Sequence, residues 1–128
     1  MADLRLELPL EEGAPARARA EIRASAAEVD PAIVGDVLVI VTEAISNALH
    51  RRAERQPNEQ VEVQLHLAPF EVSGQIRDGR LGFDVAVADF DTKVAPALYL
   101  IDHLSTRWGL EFGRGARLWF EVSSEPPR

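Results

Sequence analysis

Cysteine is absent from the 128-residue chain, so disulfide bonds and thiolate metal sites are excluded. The N-terminal residues Leu4 to Leu8 alternate apolar and charged side chains, unlike the continuous apolar segment of a signal peptide. Nowhere do about 18 apolar residues follow one another, as a membrane-spanning helix requires. We therefore expect a cytoplasmic protein with no membrane partner.

Basic residues are scarce relative to acidic ones. The chain has 14 Lys and Arg side chains against 21 Asp and Glu, which gives a formal net charge of −7. Proteins that bind nucleic acids directly depend on basic side chains that displace counterions, so this charge argues against such a partner. With 46% hydrophobic residues, the chain has the size and composition of one folded domain over residues 1–128.

Glycine and proline divide the chain into segments with distinct hydrophobic periods. The order is strand, two helices, hairpin, short helix, and then either a second hairpin or a single closing strand. This order predicts an α+β two-layer sandwich, in which helices cover one face of a mostly antiparallel sheet. The predicted strands are residues 4–8, 61–67, 70–77 and 117–122; the predicted helices are 16–29, 31–52 and 95–107, and a turn is predicted at 109–115.

The predicted helix over residues 31–52 has the clearest local signals. Asp30 is suited to cap it, and Pro31 is suited to the first helical position. Glu43, Asn47 and His50 follow each other at helical spacing, which places them on one stripe. The apolar stripe on the opposite side, which predicts packing against a sheet, comprises Ile33, Val34, Val37, Leu38, Val41, Ile45, Ala48 and Leu49.

Two interpretations of the polar stripe are open. The carboxylate of Glu43 can accept a proton, and the carboxamide of Asn47 can ligate Mg²⁺ beside a phosphate. Alternatively, the stripe is simply the solvated polar face of the helix. Asp36 and Ser46 lie on the same side, as expected for a solvated face. From the helix alone, a solvated face is the better interpretation.

The context of this helix resembles a known family. Thr42-Glu-Ala-Ile-Ser-Asn-Ala48 stands near the end of a long helix, and the second strand of the hairpin that follows ends at Asp78. This arrangement is similar to the ATP-binding fold of the bacterial anti-sigma-factor serine kinases, within the superfamily of gyrase, heat-shock, histidine-kinase and mismatch-repair ATPases. Residues 98–109 and 115–122 resemble the closing helix and last strand, so the likeness spans nearly the whole chain.

The resemblance implies roles for individual residues. Glu43 would be the catalytic base that prepares a target serine hydroxyl, and Asn47 would hold Mg²⁺ at the phosphates of ATP. Asp78 would accept the exocyclic amine of adenine. Gly82 would belong to the first glycine box, and Leu98 matches the leucine of the second.

The activity that the resemblance implies is that of an anti-sigma factor and serine/threonine protein kinase acting in transcription regulation and stress response. Such a protein would bind a sigma factor and phosphorylate an anti-anti-sigma (STAS-type) partner. Related proteins often pair, so a homodimer is a further expectation.

Both glycine boxes depart from the family pattern. Where Asp-x-Gly-x-Gly is expected, the chain has Asp78-Gly-Arg-Leu-Gly82, and where Gly-x-Gly-Leu is expected it has Ala95-Pro-Ala-Leu98. Glycine lets the backbone approach phosphates, and proline has no N–H to donate. Three interpretations follow: an ATP-dependent kinase, a nucleotide-free partner-binding module of the same fold, and an α+β domain whose likeness is accidental.

Other chemistries lack their motifs. Neither a Gly-x-x-x-x-Gly-Lys phosphate loop nor a His-Glu-x-x-His zinc site occurs. His66 and His103 are isolated, and the aspartates at 84, 89, 91 and 102 match no Ca²⁺ loop. Trp108 and Trp119 are predicted to be core residues.

Overall fold

The computed structural model describes residues 2–49, 59–78, 96–113 and 115–124. These residues form a five-stranded antiparallel sheet and three α-helices, which confirms the α+β fold predicted from the sequence. The elements are β1 (Ala2–Pro9), α1 (Ala14–Ser25), α2 (Pro31–Leu49), β2 (Gln60–Ala68), β3 (Glu71–Asp78), α3 (Pro96–Leu104), β4 (Arg107–Gly113) and β5 (Gly115–Ser123).

The strands lie in the order β1-β2-β3-β5-β4, and each pairing is antiparallel. Because side chains alternate along a strand, each residue takes one of two faces. In β2, Val61, Val63, Leu65 and Leu67 are buried, whereas the residues between them are half-buried or exposed. The buried face carries the core. We call the other the open face, because no helix of the described residues packs on it.

The helix α2 lies at the centre of the helix layer. It packs on β3 and β5, while α1 contacts β1 and α3 contacts β4. Six of the eight apolar residues predicted for its inner stripe are buried, and Val34 and Leu38 are partly buried against the same core. Ile40 and Ala44 are buried as well, because α2 is flanked by helices as well as by the sheet.

A hydrogen-bonded junction holds the start of α2. One carboxylate oxygen of Asp30 accepts a hydrogen bond from the Ala32 amide at 3.3 Å, and the other accepts one from the Ser124 hydroxyl at 3.3 Å. The Asp30 amide donates to the carbonyl of Pro69, in the turn between β2 and β3, at 2.8 Å. The predicted cap is confirmed, and it ties the N-terminus of α2 to that turn.

By length and composition alone, α2 could cross a membrane, since its 19 residues have a mean hydropathy of 1.7. In the fold, its buried side chains pack against the sheet and against α1 and α3. A helix that is apolar on most sides is typical of the centre of a protein core as well as of a membrane. We therefore interpret α2 as the core helix of this domain.

The structure corrects the prediction for residues 107–113. A helix is predicted up to residue 107 and a turn over 109–115, but residues 107–113 form β4, because Trp108 and Leu110 pack on the core face and pair with β5. Of the two endings that the sequence left open, the structure has the hairpin. The pairing of β4 with β5 extends to Gly113 and Gly115, and Gly115 has a φ of 93°, a conformation that favours glycine. α1 also ends at Ser25 rather than residue 29, and α3 ends at Leu104 rather than residue 107.

Trp119 lies on the open face, which corrects its prediction as a core residue. Its indole covers Gly109 of β4, where an added β-carbon would lie 2.6 Å from the indole Nε1. The guanidinium of Arg107 lies 5.8 Å from the ring centroid, within the range of a cation–π contact. Trp108, by contrast, packs against the core as predicted.

Candidate functional site

Glu43 and Asn47 occupy successive turns in the C-terminal half of α2. A spacing of four residues places their side chains on the same side of the helix, as predicted. Both side chains are half-buried. If this side of the helix were simply solvated, both side chains would be exposed. His50, the third member of the predicted stripe, lies outside the described residues.

Asp78 is the last residue of β3, where the sequence placed it. Because Val72 and Ile76 are buried on the core face, alternation places the Asp78 side chain on the helix side of the sheet. It is half-buried there, and its cross-strand neighbour on β5 is the buried Ala116. A methyl group as neighbour leaves room beside the carboxylate for the atoms of a ligand.

The course of α2 and β3 brings these residues to one end of the domain. Both elements leave the β2–β3 turn, where Asp30 bonds to Pro69, and α2 packs on β3. The 19 residues of α2 advance about 28 Å and the eight of β3 about 26 Å, so the two elements reach similar distances from the turn. Asn47, near the end of α2, and Asp78, at the end of β3, therefore share the far end.

The other predicted nucleotide-binding positions lie in the core or outside the described residues. Leu98 is fully buried in α3 and Ala97 is 6% exposed, so both side chains pack in the core. α3 begins at Pro96, which has no N–H to donate. Gly82 lies outside the described residues. The nucleotide-binding roles of Gly82 and Leu98 stay predictions.

Among the described residues, His66, His103 and Asp102 have structural partners. The imidazole of His66 contacts the carboxylate of Asp3 across β1 and β2, and His103 stacks on Tyr99 with 6.0 Å between ring centroids. Asp102 accepts a hydrogen bond from the Trp108 indole at 2.8 Å. Asp84, Asp89 and Asp91 lie outside the described residues, and within those residues no group of three or more His, Cys, Asp or Glu could hold a metal ion.

Two of the half-buried polar residues, Asp78 and Asn47, fit the adenine base and the metal ion of Mg-ATP. The Asp78 carboxylate can accept a hydrogen bond from an exocyclic amine, and the Asn47 carboxamide oxygen is a suitable Mg²⁺ ligand. Mg²⁺ in nucleotide sites takes several of its ligands from phosphate and water, so the protein would supply only one or two. Glu43, one helical turn before Asn47, can accept a proton from a hydroxyl group.

Arg19 is a neighbour of this site that no sequence pattern indicated. Its guanidinium, on α1, donates to the Thr42 hydroxyl on α2 at 3.5 Å. Thr42 immediately precedes Glu43, so this bond orients α1 against the part of α2 that carries the site. The two residues are 23 positions apart and meet only because α1 packs on α2.

Asp36 lies two turns before Glu43 on α2. Burial raises the pKa of its carboxyl above the ordinary value of 3.8. The folded protein therefore holds this proton more tightly than the unfolded chain. The contribution of this proton to the free energy of unfolding is present in acid. It is lost as the pH rises through the pKa that Asp36 has in the folded state.

We therefore expect Asp36→Asn, which removes the half-buried charge, to raise the Tm at neutral pH and to leave it nearly unchanged below pH 3.8. Thermal melts of both proteins across pH measure this difference, with Glu28→Gln on the exposed surface as the control. Equal melting temperatures for Asp36→Asn and the parent at every pH would contradict the prediction.

Two concave surfaces border the sheet. A cavity of about 700 Å³ at the end of the sheet reaches Asp78, beside Ala116 and Phe112. A larger concavity of about 810 Å³ lies on the open face, and its lining includes Gln75 and Trp119. The larger one is separated by the sheet from α2 and so is not part of the site formed by Glu43, Asn47 and Asp78.

Comparison with known proteins identifies the family to which this fold belongs. The family described as the histidine kinase-like ATPase domain matches residues 8–116, which include α2, β3 and the three polar residues at their far ends. A search of curated proteins found no match. Because the family match covers most of the described fold, the assignment does not depend on the short motifs alone. The chain belongs to the histidine kinase-like ATPase domain family.

Proposed function

We propose that this chain is an anti-sigma factor with serine/threonine protein kinase activity. It binds a sigma factor and uses Mg-ATP to phosphorylate a small anti-anti-sigma (STAS-type) partner. The observation that supports the proposal is the placement of Glu43, Asn47 and Asp78, all half-buried at one end of an ATPase-family domain. An accidental likeness would not be expected to bring a base, a metal ligand and an amine acceptor to the same end.

Each of the three residues has its own task in this proposal. Mg-ATP, when bound, supplies the phosphoryl group. Asp78 accepts a hydrogen bond from the adenine amine and so distinguishes adenine from guanine. Asn47 holds Mg²⁺ through its carboxamide oxygen. Glu43 accepts the proton of the target serine hydroxyl, which makes the oxygen a better nucleophile.

The charge of the chain is consistent with protein partners. A net charge of −7 disfavours direct contact with DNA, so regulation of transcription by this protein would proceed through a sigma factor or an anti-anti-sigma domain. We place this activity in the cytoplasm. A pull-down from the native host at low and moderate salt tests the partners, and recovery of neither would count against them.

The start of α3 favours a second candidate, a nucleotide-free binding module. Helix N-termini bind phosphates through backbone N–H groups, but α3 begins at Pro96, and the next two side chains are buried in the core. If phosphates are not held here, the domain would keep its partner surface without the kinase activity.

A thermal shift with millimolar Mg-ATP or Mg-ADP separates the two candidates. Ligand at 100 times its Kd stabilises the folded state by about 2.7 kcal/mol, so a kinase melts at a higher temperature with nucleotide. Calorimetry on the same samples gives the affinity. No shift and no heat of binding with either nucleotide would decide for the nucleotide-free module.

Base selectivity provides a residue-level test of the site. We expect Asp78→Asn to weaken Mg-ATP binding by about 1–3 kcal/mol and Mg-GTP binding much less, because adenine has a donor amine where guanine has an acceptor oxygen that cannot donate to the carboxylate. Calorimetry with both nucleotides measures the difference. Glu71→Gln, at the other end of β3 and exposed, is the matched control. An equal loss for both nucleotides would contradict the role given to Asp78.

A further inference from the structure

The middle of the open face combines a cation, two carboxamides and an aromatic ring in one row. From β1 to β4, the strand register places Arg5, Gln64, Gln75, Trp119 and Gly109 side by side, and we call these five residues the middle row. All of them except the glycine line the concavity of about 810 Å³. That volume lies in the range of small-molecule sites. The middle row therefore offers a small molecule a charged end and an aromatic end.

A directional chain of hydrogen bonds runs along the middle row. The Nε of Arg117 donates to the carboxamide oxygen of Gln75, and the amide group of Gln75 donates to the carboxamide oxygen of Gln64. Because a guanidinium can only donate, the atom of Gln75 that it meets must be the oxygen, and the direction of the next bond follows. The chain ends on the NH₂ group of Gln64. In the part of the protein that the structure describes, no group accepts a hydrogen bond from this NH₂.

The NH₂ group of Gln64 is a strong donor that lacks an acceptor. Successive hydrogen bonds polarise one another, and this chain starts at a guanidinium that Glu111 holds at 2.9 Å. Gln64 is also half-buried, so water competes for its N–H groups less than on an open surface. Charged acceptors form the stronger hydrogen bonds with such donors. The end of the chain is therefore suited to the carboxylate of a ligand.

Arg5 supplies a cation beside the free NH₂ group, because it is the cross-strand neighbour of Gln64. Its guanidinium lies 3.8 Å from the Glu7 carboxylate and 3.5 Å from that of Glu62, and its side chain is 64% exposed. Exposed ion pairs of this kind contribute little to stability, so the guanidinium can turn to a ligand at small cost. Arg5 and Gln64 together provide the donors for one carboxylate.

Trp119 provides an apolar surface at the other end of the row. Its half-buried indole lies on Gly109, where the absence of a side chain leaves room for the ring. The guanidinium of Arg107 lies 5.8 Å from the ring centroid, but its side chain is 67% exposed and its ion pair with Glu121 measures 3.5 Å. A weakly held side chain can move aside for an aromatic ring, which then stacks on the indole.

The charge of the concavity limits the ligand to a small number of negative charges. Its lining holds three basic side chains, Arg5, Arg107 and Arg117, and three acidic ones, Asp3, Glu111 and Glu121. A polyanion such as a nucleic acid would need a positive face. A single carboxylate needs only the donors at one end of the middle row.

We propose that the open face binds a small arylalkyl carboxylate, a molecule in which a short flexible chain joins an aromatic ring to a carboxylate. The ring stacks on Trp119, and the carboxylate accepts hydrogen bonds from Gln64 and Arg5. Gln64 and Trp119 are two strands apart, so about 10 Å separates their backbones and the alkyl chain crosses Gln75 between them. The sheet separates this site from the proposed nucleotide site, so either site can be absent without the other.

Calorimetry of the full chain with a series of millimolar probes tests the ligand class. 4-Phenylbutyrate should bind, and phenylacetate should bind more weakly, because its ring and carboxylate are too close together to reach both Trp119 and Gln64. The uncharged 4-phenylbutanol should lose about tenfold in affinity without the charged acceptor, and 4-cyclohexylbutyrate about threefold without the aromatic stacking. No heat of binding with 4-phenylbutyrate, or equal affinities across the series, would overturn the proposal.

Substitutions in the middle row test the site. Gln64→Glu keeps the shape of the side chain but replaces the free NH₂ with an oxygen that repels a carboxylate. It should raise the Kd for 4-phenylbutyrate by about tenfold or more and change that for 4-phenylbutanol much less. Gln60→Glu makes the same change at the exposed start of β2, outside the concavity, and should leave both constants unchanged.

Trp119→Leu should abolish the preference for 4-phenylbutyrate over 4-cyclohexylbutyrate, and Arg5→Gln should weaken both carboxylates equally. Thermal melts show which variants are folded. Gln64→Glu and Arg5→Gln change surface side chains, so they carry the test if Trp119→Leu does not fold. Equal dissociation constants for 4-phenylbutyrate in Gln64→Glu and Gln60→Glu would overturn the site.

Discussion

Replacing Glu43 with glutamine is expected to lower the rate of serine phosphorylation by about 10²–10⁴-fold, the usual contribution of a general base, while Mg-ATP stays bound. Glutamine has nearly the same shape as glutamate but cannot take up the proton of a hydroxyl group. The proton acceptor acts on the transition state and adds little to ground-state affinity. The rate should therefore fall with almost no change in nucleotide affinity.

Transfer of labelled phosphate to the proposed anti-anti-sigma partner measures this rate, and calorimetry measures the affinity. Glu28→Gln removes a carboxylate from the exposed surface and should leave both unchanged. Loss of nucleotide binding in Glu43→Gln would mean that the carboxylate holds the ligand rather than activating the hydroxyl. An unchanged rate in a protein that still phosphorylates its partner would exclude Glu43 as the base.

Most of the fold could be predicted because the apolar residues keep a clear period. β1 alternates over its whole length, and α2 has both a capping aspartate and a helical apolar stripe, so each was found within a few residues of its ends. The sequence left open whether a second hairpin closes the domain, and it did not predict the bounds of β4, because Gly109 and Gly113 resemble a turn when read alone. The glycine at 109 is instead required by the Trp119 indole, which lies on it. A cross-strand contact of this kind leaves no local pattern.

The sequence predicted where each candidate site residue lies within its own helix or strand, but not how these elements pack together. The helical spacing of Glu43 and Asn47 and the strand end at Asp78 are local properties, and the structure places each of them as expected. Their common position at one end of the domain follows from the hydrogen bond between the Asp30 amide and the Pro69 carbonyl, which joins residues far apart in sequence. Neither that bond nor the contact of Arg19 with α2 follows from hydrophobic periodicity.

The second prediction with a large expected effect concerns the stability of the protein and the core residue Phe120. This side chain is 1% exposed in the middle of β5, and its ring lies over Gly74 on the adjacent strand. We expect Phe120→Ala to lower the free energy of unfolding by about 3–5 kcal/mol through lost burial and the cavity left behind. The Tm should fall by roughly 10 °C or more. Phe112→Ala removes the same ring where it is 45% exposed, and it should cost much less.

Gly74 makes this prediction specific to the contact between the two strands. A β-carbon at Gly74 would lie 2.8 Å from Phe120 Cζ and 2.5 Å from Leu65 Cδ2, so Gly74→Ala alone should destabilise the protein by about 1–3 kcal/mol through overpacking. In the Phe120→Ala background the ring is gone, and Leu65 can move into its space. Gly74→Ala should then be neutral or stabilising there, because it partly fills the cavity and stiffens the unfolded chain. Urea unfolding of the four proteins in this cycle measures the coupling. Simple additivity of the two changes would show that the ring does not occupy the space above Gly74.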